Sequence, residues 1–177
     1  GGTIQFLSTL DGGGNSLTFI AQPATGSISI AGAATNIASF TMSGKDINLA
    51  AVSTSGPVNM TATGTATLAG PLNSGGSVTA TTNVLNLTGS ISAASTVVAS
   101  STGGMTISGN VTGPSGVTLN VTGADRVLTQ NAGTIASTNS AIALIADEMM
   151  LTGAINSGSG AVTLKPNNTT DAIQLGV

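Results

Sequence analysis

The sequence contains no cysteine, histidine, tryptophan or tyrosine, and only 5% of its 177 residues are charged. Without cysteine the chain forms no disulfides, so its stability has to come from packing, and the composition suits passage through an oxidising compartment. Without histidine or cysteine, the Ser–His and Cys–His pairs of nucleophilic catalysis are excluded.

Cations are equally scarce, since Lys45, Arg126 and Lys165 are the only ones and the net charge is −3. Nucleic-acid binding needs several basic side chains to neutralise phosphates, so we expect no nucleic-acid partner. No apolar run reaches about 18 residues, the length of a membrane-spanning helix, so we expect no membrane insertion.

The familiar short motifs of catalysis are missing as well. Met42 and Val162 stand where a Ser-x-x-Lys nucleophile would need its serine, three residues before Lys45 and Lys165. The sequence has no glycine-rich nucleotide-binding loop and no GGxGxD nonapeptide. We therefore predict that the chain is not an enzyme and has no catalytic, cofactor-binding or metal-binding residues.

What the sequence does contain is a repeated strand pattern: an apolar residue, a spacer, Leu or Ile, a small residue and usually Gly. Its seven copies occupy residues 28–32, 47–51, 66–70, 85–89, 105–109, 149–153 and 173–176. The steps between the Leu or Ile positions of the first five copies are 19, 19, 19 and 20 residues. A fixed period of this length indicates stacked units, none of which buries its apolar face alone.

Two further apolar positions share this period. One begins an extended stretch at Val58, Val78, Val97 and Val117, and the other follows the Gly at Leu72, Ile91, Val111 and Ile155. Alternation within each stretch places Val, Leu and Ile inward and Thr, Ser and Asn outward. The pattern predicts one parallel β-helix domain over residues 1–177, with three short strands in each coil of 19–20 residues.

The period is less regular in two regions. Around residues 118–143 the spacing lengthens, and insertions in solenoids go to turns, so we expect an outward loop within residues 129–140. Near the start, six bulky residues predict the first two coils: Ile4, Phe6, Leu10, Leu17, Phe19 and Ile20. Eight or nine coils at about 4.8 Å each predict a stack on the order of 40 Å long.

Both ends of the sequence, residues 1–10 and 172–177, have the pattern of an ordinary β-coil. An open strand edge templates further pairing. The chain is therefore expected to be a segment of a longer solenoid, or to meet other copies of itself at its ends.

Carboxylates are the one remaining catalytic option. If Leu128 stacks under Leu151, Asp125 lies one coil below Glu148, roughly 5 Å away. Two carboxylates at that range could flank a glycosidic bond or hold a cation. A sugar-cleaving β-helix would also offer aromatic platforms, and this chain has only Phe6, Phe19 and Phe40, all at expected core positions. A solvated turn is the better interpretation of the pair.

Threonines alternate at Thr61, Thr63, Thr65 and Thr67, and a flat threonine array on a β-solenoid can match ice. Such an array needs threonine at the same position in every coil. The spacer before the Leu or Ile is mixed instead, reading Asn48, Thr67, Asn86 and Thr106. The β-propensity of threonine explains its abundance better, so ice binding is a minor alternative.

Six Asn-x-Thr sequons occur, at Asn59, Asn86, Asn110, Asn120, Asn167 and Asn168. In a chain so rich in Asn and Thr they arise readily by chance, and several fall within predicted strands rather than at loop tips. We interpret them as a product of composition.

The overall style resembles the passenger region of filamentous haemagglutinin-like exoproteins, the secreted adhesins of bacterial two-partner secretion. The segments that carry the resemblance are residues 2–6, 11–12 and 17–19, the Leu-Thr-Gly strands, and residues 160–164 and 173–176. The resemblance implies a right-handed parallel β-helix, export across the bacterial outer membrane, and a role in adhesion or surface structure.

These observations predict an extracellular structural or adhesive β-helix segment of a bacterial surface or secreted fibre protein. Its expected partners are neighbouring coils of the same chain or other copies, and a host-cell or matrix surface. The main alternative is a filament subunit that stacks end to end through its terminal coils. An ice-binding or polysaccharide-degrading β-helix is a weaker alternative.

Overall fold

The structure is a computed structural model, which describes residues 2–168, and the regular elements of that part of the chain are all strands. The strands are β1 (Thr3–Phe6), β2 (Leu10–Ile20), β3 (Ser27–Gly44), β4 (Asp46–Thr54), β5 (Val58–Leu68), β6 (Leu72–Ser74), β7 (Val78–Leu87), β8 (Ile91–Ala93), β9 (Val97–Ile107), β10 (Val111–Thr112), β11 (Val117–Val121), β12 (Val127–Gln130), β13 (Thr134–Ala136), β14 (Ile142–Ile145), β15 (Glu148–Leu151), β16 (Ala154–Asn156) and β17 (Val162–Lys165).

Every strand pairs in parallel with strands one coil away, so the chain winds into a β-solenoid with three faces. We name the faces by their inward residues: face A contains Val58, Val78, Val97 and Val117, face B contains Ile47, Ala66, Leu85 and Met105, and face C contains Val52, Leu72, Ile91 and Val111. On face B, eight stacked positions run from Ile4 to Met149. The predicted all-β parallel β-helix is confirmed, with about eight coils among the described residues.

Several coils join two strands that the sequence predicted to be separate. β5, β7 and β9 each cover face A, turn the corner and continue along face B as one bent strand. The register shifts at that corner, between Ala62 and Thr65 in β5 and between Thr82 and Val84 in β7. Two of the three predicted strands of these coils are therefore joined by a bulge rather than separated by a turn.

The glycine of the repeat lies at the corner between faces B and C, where successive coils approach most closely. A Cβ on Gly70, Gly89, Gly109 or Gly153 would lie well inside 3.0 Å of a backbone carbonyl oxygen of the preceding coil. The second copy of the repeat has Ala51 in place of this glycine. There the strand β4 continues through the corner, and the step from Leu49 to Val52 is one residue shorter than the equivalent step from Leu68 to Leu72. The glycine is therefore needed for close coil-to-coil approach.

The outward loop expected within residues 129–140 is wrong, because strands β12 and β13 run through that segment as part of faces B and C. The extra residues lie earlier, between Val117 on face A and Leu128 on face B, where 11 residues replace the seven from Val78 to Leu85. Leu128 stacks on Met105 and Met149, not on Ile107 and Leu151. The longer corner before Leu128 therefore shifts the stacking of this coil by two residues relative to the predicted stacking.

Because of this shift, Gln130 occupies a core position that Ile107 and Leu151 occupy in the adjacent coils. Its side chain is fully buried, and its amide donates hydrogen bonds to the carbonyl oxygens of Gly133 (3.1 Å) and Ala154 (3.2 Å). Its Oε1 has no hydrogen-bond partner. The rank of apolar residues is thus interrupted by one polar side chain that ties two coils together.

The bulky residues near the start form one coil rather than the two predicted. Phe6 lies on face B and Phe19 on face A, and Ile20 points outward with 70% of its side chain exposed. Phe6 stacks on Phe19 at 5.3 Å, and Phe19 meets the edge of Phe40 at 5.2 Å. The three aromatic rings therefore fill this end of the core. The repeat copy at residues 173–176 and the predicted terminal coil at 172–177 lie outside the described residues.

Candidate binding surface

The carboxylates that the sequence singled out are not brought together. β12 pairs Val127 with Glu148, so Asp125 lies two residues before the position that faces Glu148. Asp125 has a positive φ of 55°, and its amide donates to Oδ2 of the buried Asp147 at 3.1 Å. Oδ1 of Asp147 accepts a hydrogen bond from the backbone amide of Asn168 at 2.7 Å. These groups fix a corner through backbone hydrogen bonds, which is a structural role.

Apart from Asp147, the charged side chains of residues 2–168 are half-buried or exposed. Lys45 and Asp46 form an ion pair at 3.9 Å, and Asp46 also accepts the amide of Thr65 at 2.9 Å. Within residues 2–168 no three carboxylate side chains lie close enough to hold a metal ion, and no helix long and apolar enough to cross a membrane occurs.

The four alternating threonines do not share one face, because β5 turns its corner between them. Thr61 lies on face A and Thr67 on face B. Thr63, at the corner, donates a hydrogen bond to the carbonyl oxygen of Pro23, and the amide of Thr65 bonds to Asp46. The spacer residues Asn48, Thr67, Asn86 and Thr106 do form one rank across face B, with the mixed composition that the sequence indicated.

A more regular array lies on face A, where two ranks of outward side chains run across β3, β5, β7, β9 and β11. We call it the face A grid. Its first rank is Thr41, Asn59, Thr79, Val98 and Thr118, and its second rank is Ser43, Thr61, Thr81, Ser100 and Asn120. All ten side chains are half-buried or exposed, and none is charged. In the sequence these are the residues one and three places after Phe40 and after each face A valine.

A shallow groove follows the corner between faces B and C. Its floor is lined by Ala31, Ala50 and Ala69, and its wall by Asn48 and Thr67. The small alanine side chains at these three positions leave the corner unfilled, which forms the groove. It continues the lateral surface and contains no charged group among its lining residues.

The sequons lie in varied surroundings. Asn59 is exposed in the middle of face A, whereas Asn86 and Asn120 are half-buried within strands. Asn110 accepts the amide of Thr134 at 2.9 Å, and Asn167 donates to the carbonyl oxygen of Thr122 at 3.0 Å. Two of these side chains, those of Asn110 and Asn167, hold neighbouring coils together, so the structural context favours no common modification.

Comparison of the chain with protein-family models, with curated proteins and with solved structures gives no match in any of the three.

Proposed function

We propose that the chain is a structural and adhesive segment of an extracellular fibre on a bacterial surface. The observation that carries the proposal is the combination of an unbroken stack of coils with a lateral surface that has few charges and no reactive cluster among the described residues. A stack of this kind suits a spacer or stalk, because each coil contacts only its neighbours and the number of coils sets the length.

The interior supports such a mechanical role. Inward side chains such as Ile47, Leu85 and Val97 are almost completely buried, and each is sandwiched between equivalent residues one coil above and below. Parallel backbone hydrogen bonds join the coils along all three faces. Extension along the stack would break these bonds and expose the apolar core at the same time.

The lateral surface supports an adhesive role of a particular kind. The outward ranks consist mainly of Thr, Ser and Asn, whose hydroxyl and amide groups both donate and accept hydrogen bonds. One such contact is weak, but contacts repeated along a rigid stack add through avidity. A neutral host-cell or matrix surface is therefore the proposed partner.

Labelling of intact cells tests the location. An antibody raised against the folded chain is expected to label unpermeabilised bacteria of the source strain as strongly as permeabilised ones. An antibody against a cytoplasmic protein serves as the control and should label only after permeabilisation. Labelling by both antibodies only after permeabilisation would contradict the proposal.

A second candidate function is end-to-end assembly with other copies. At both ends of the described stack the inward side chains are only partly covered, including Ile4 and Phe6 in the first coil and Val162, which is 45% exposed, in the last described coil. These apolar surfaces would be buried by a further coil, supplied by the same chain or by a second copy. A head-to-tail interface between copies gives an open polymer.

We predict that electron microscopy of the purified chain over a concentration series shows fibres one coil wide. Val162→Lys places a charge on the proposed end surface and is expected to abolish the fibres. Thr163→Lys is the matched control, because Thr163 lies on the lateral surface one residue away. Discrete particles at every concentration, or equal behaviour of the two variants, would rule out end-to-end assembly through this surface.

A further inference from the structure

Face B offers each coil two inward positions. We call them the first column, which contains Met105 and Met149, and the second column, which contains Ile107 and Leu151. In β12 these positions are occupied by Leu128 and Gln130. A shift of β12 by two residues would keep the same side of the strand inward, because the side-chain period of a strand is two. It would place Leu128 in the second column and move Gln130 beyond it.

The observed register has a cost at Gln130. The side chain is fully buried and its Oε1 has no hydrogen-bond partner, although its amide nitrogen donates to the carbonyl oxygens of Gly133 and Ala154. A buried acceptor without a partner is unfavourable. In the shifted register Gln130 would leave the core, and Leu128 would fill the second column with an apolar side chain, as in the adjacent coils. Apolar packing alone therefore favours the shifted register.

Arg126 reverses this balance. Its side chain is exposed in the observed register, where it precedes the first column by two residues. The shifted register would place it in the first column, between Met105 and Met149. A guanidinium stays charged in proteins, and burying it without an acidic partner costs more than leaving one amide oxygen unpaired. The charge at Arg126 therefore disfavours the shifted register more strongly than Gln130 favours it.

Asp147 would not compensate for the burial of Arg126. It is the one carboxylate that is buried among residues 2–168, and its two oxygens already accept the backbone amides of Asp125 and Asn168. A shift of β12 by two residues would also move Asp125 along the strand direction by about 6.6 Å and break its hydrogen bond to Asp147. This corner therefore holds the same register that Arg126 favours.

We propose that Arg126 sets the register of β12, by keeping its own charge out of the core and thereby forcing Gln130 into it. Arg126 is a positioning residue, and one side chain rather than a periodic pattern carries the information. The register also determines the lateral surface, because it places Thr129, and not Val127, in the outward rank with Thr106. This inference concerns the stacking of one coil and does not depend on the proposed function.

Disulfide trapping in the full chain distinguishes the two registers, and the natural sequence has no cysteine to interfere. The pair Thr106→Cys, Thr129→Cys joins direct register partners, about 4.8 Å apart, and reports the observed register. The pair Thr106→Cys, Val127→Cys reports the shifted register, because in the observed one these residues are roughly 8 Å apart, beyond the reach of a disulfide. Each pair is combined with the natural Arg126, with Arg126→Leu and with Arg126→Lys.

With the natural Arg126 and with Arg126→Lys, oxidation is expected to link only the Thr106 and Thr129 positions. With Arg126→Leu that link is expected to be lost, and the Thr106 and Val127 positions are expected to be linked instead. Adding Gln130→Leu to Arg126→Leu removes the cost of the observed register and should restore the first link. Circular dichroism before oxidation verifies the β-structure of each variant.

Persistence of the link between positions 106 and 129 in Arg126→Leu would overturn the proposal. A change of the linked pair in Arg126→Lys would overturn it as well, because the charge is retained there. Failure of the chain with the natural Arg126 to form the link between positions 106 and 129 would contradict the register on which the proposal rests. None of these outcomes bears on cell-surface labelling, so the two proposals fail separately.

Discussion

Replacement of Gly89 by alanine is expected to remove most of the stability of the fold. A Cβ at this position would overlap the carbonyl oxygen and carbonyl carbon of Gly70, in the preceding coil, far inside the 3.0 Å that real Cβ atoms respect. Backbone atoms cannot turn away as a side chain can, so the two coils would have to separate. Their separation would disturb the hydrogen bonds on either side, including that from the Gly89 amide to the carbonyl oxygen of Leu68 (2.9 Å).

We expect Gly89→Ala to lower the free energy of unfolding by more than about 4 kcal/mol, the range of exceptional single substitutions. Urea denaturation followed by circular dichroism measures the change, with the midpoint giving stability at constant slope. Gly2→Ala is the control, because a Cβ there meets nothing within 4 Å. A loss below about 1 kcal/mol at Gly89, an ordinary single-substitution effect, would show that coil spacing does not require this glycine.

Phe40→Ala is expected to have the second largest effect, a loss of about 3–5 kcal/mol, the usual range for truncating a buried phenylalanine. The ring is fully buried on face A and supports the edge-to-face contact with Phe19, which in turn stacks on Phe6. Removal leaves a cavity between the first and second coils. Those coils cannot close it, because the strand spacing is fixed by the backbone ladder.

The destabilisation caused by Phe40→Ala is expected to be concentrated in one part of the fold. Hydrogen exchange should accelerate most in β1 and β2, which depend on the aromatic cluster, and least in β9 and β11. Phe40→Leu retains most of the volume and should cause a smaller loss with the same pattern. Uniform acceleration throughout the chain would contradict a stack in which each coil depends mainly on its neighbours.

The architecture could be predicted because it repeats. Apolar residues recur in every coil at the positions of Val78, Leu85 and Ile91. Each position alone is a weak signal for a strand, but the common period predicts the three faces, the inward residues and the number of coils. The sequence also shows the glycine that follows most of these Leu or Ile residues, but it does not show why glycine is needed there. It is a turn residue by sequence, but Gly89 is needed because a backbone carbonyl lies where its side chain would be.

The errors in stacking and in the number of coils arose where the period changes. The joining of two predicted strands in β5, β7 and β9 lies in the regular part of the chain instead, where the corner between faces A and B is a bulge. The sequence offers Leu128 as the natural partner of Ile107, and no pattern within residues 118–126 indicates that the corner before it is longer. Only the strand pairing shows that Gln130, a polar residue, takes the core position. A buried glutamine is disfavoured unless its amide is hydrogen-bonded, and one of the two carbonyl oxygens that accept from its amide nitrogen, that of Ala154, lies 24 residues away in the chain.

The face A grid was missed for a related reason. The threonines that alternate in sequence, Thr61 to Thr67, span a bend in β5 and point from different faces. The residues that do align, such as Thr79 and Thr81 with Thr61, become neighbours only when successive coils are placed in register. A lateral surface of a solenoid is therefore determined by the exact corner lengths, which sequence spacing predicts less well than the core.

The central claim, a segment of a fibre outside the cell, is tested most directly by immunogold electron microscopy of intact bacteria of the source strain. We predict gold particles on the cell surface and along structures that extend from it, and their loss when the gene is deleted. Gold particles confined to the cell interior in thin sections, with a bare surface on intact cells that express the protein, would contradict the account.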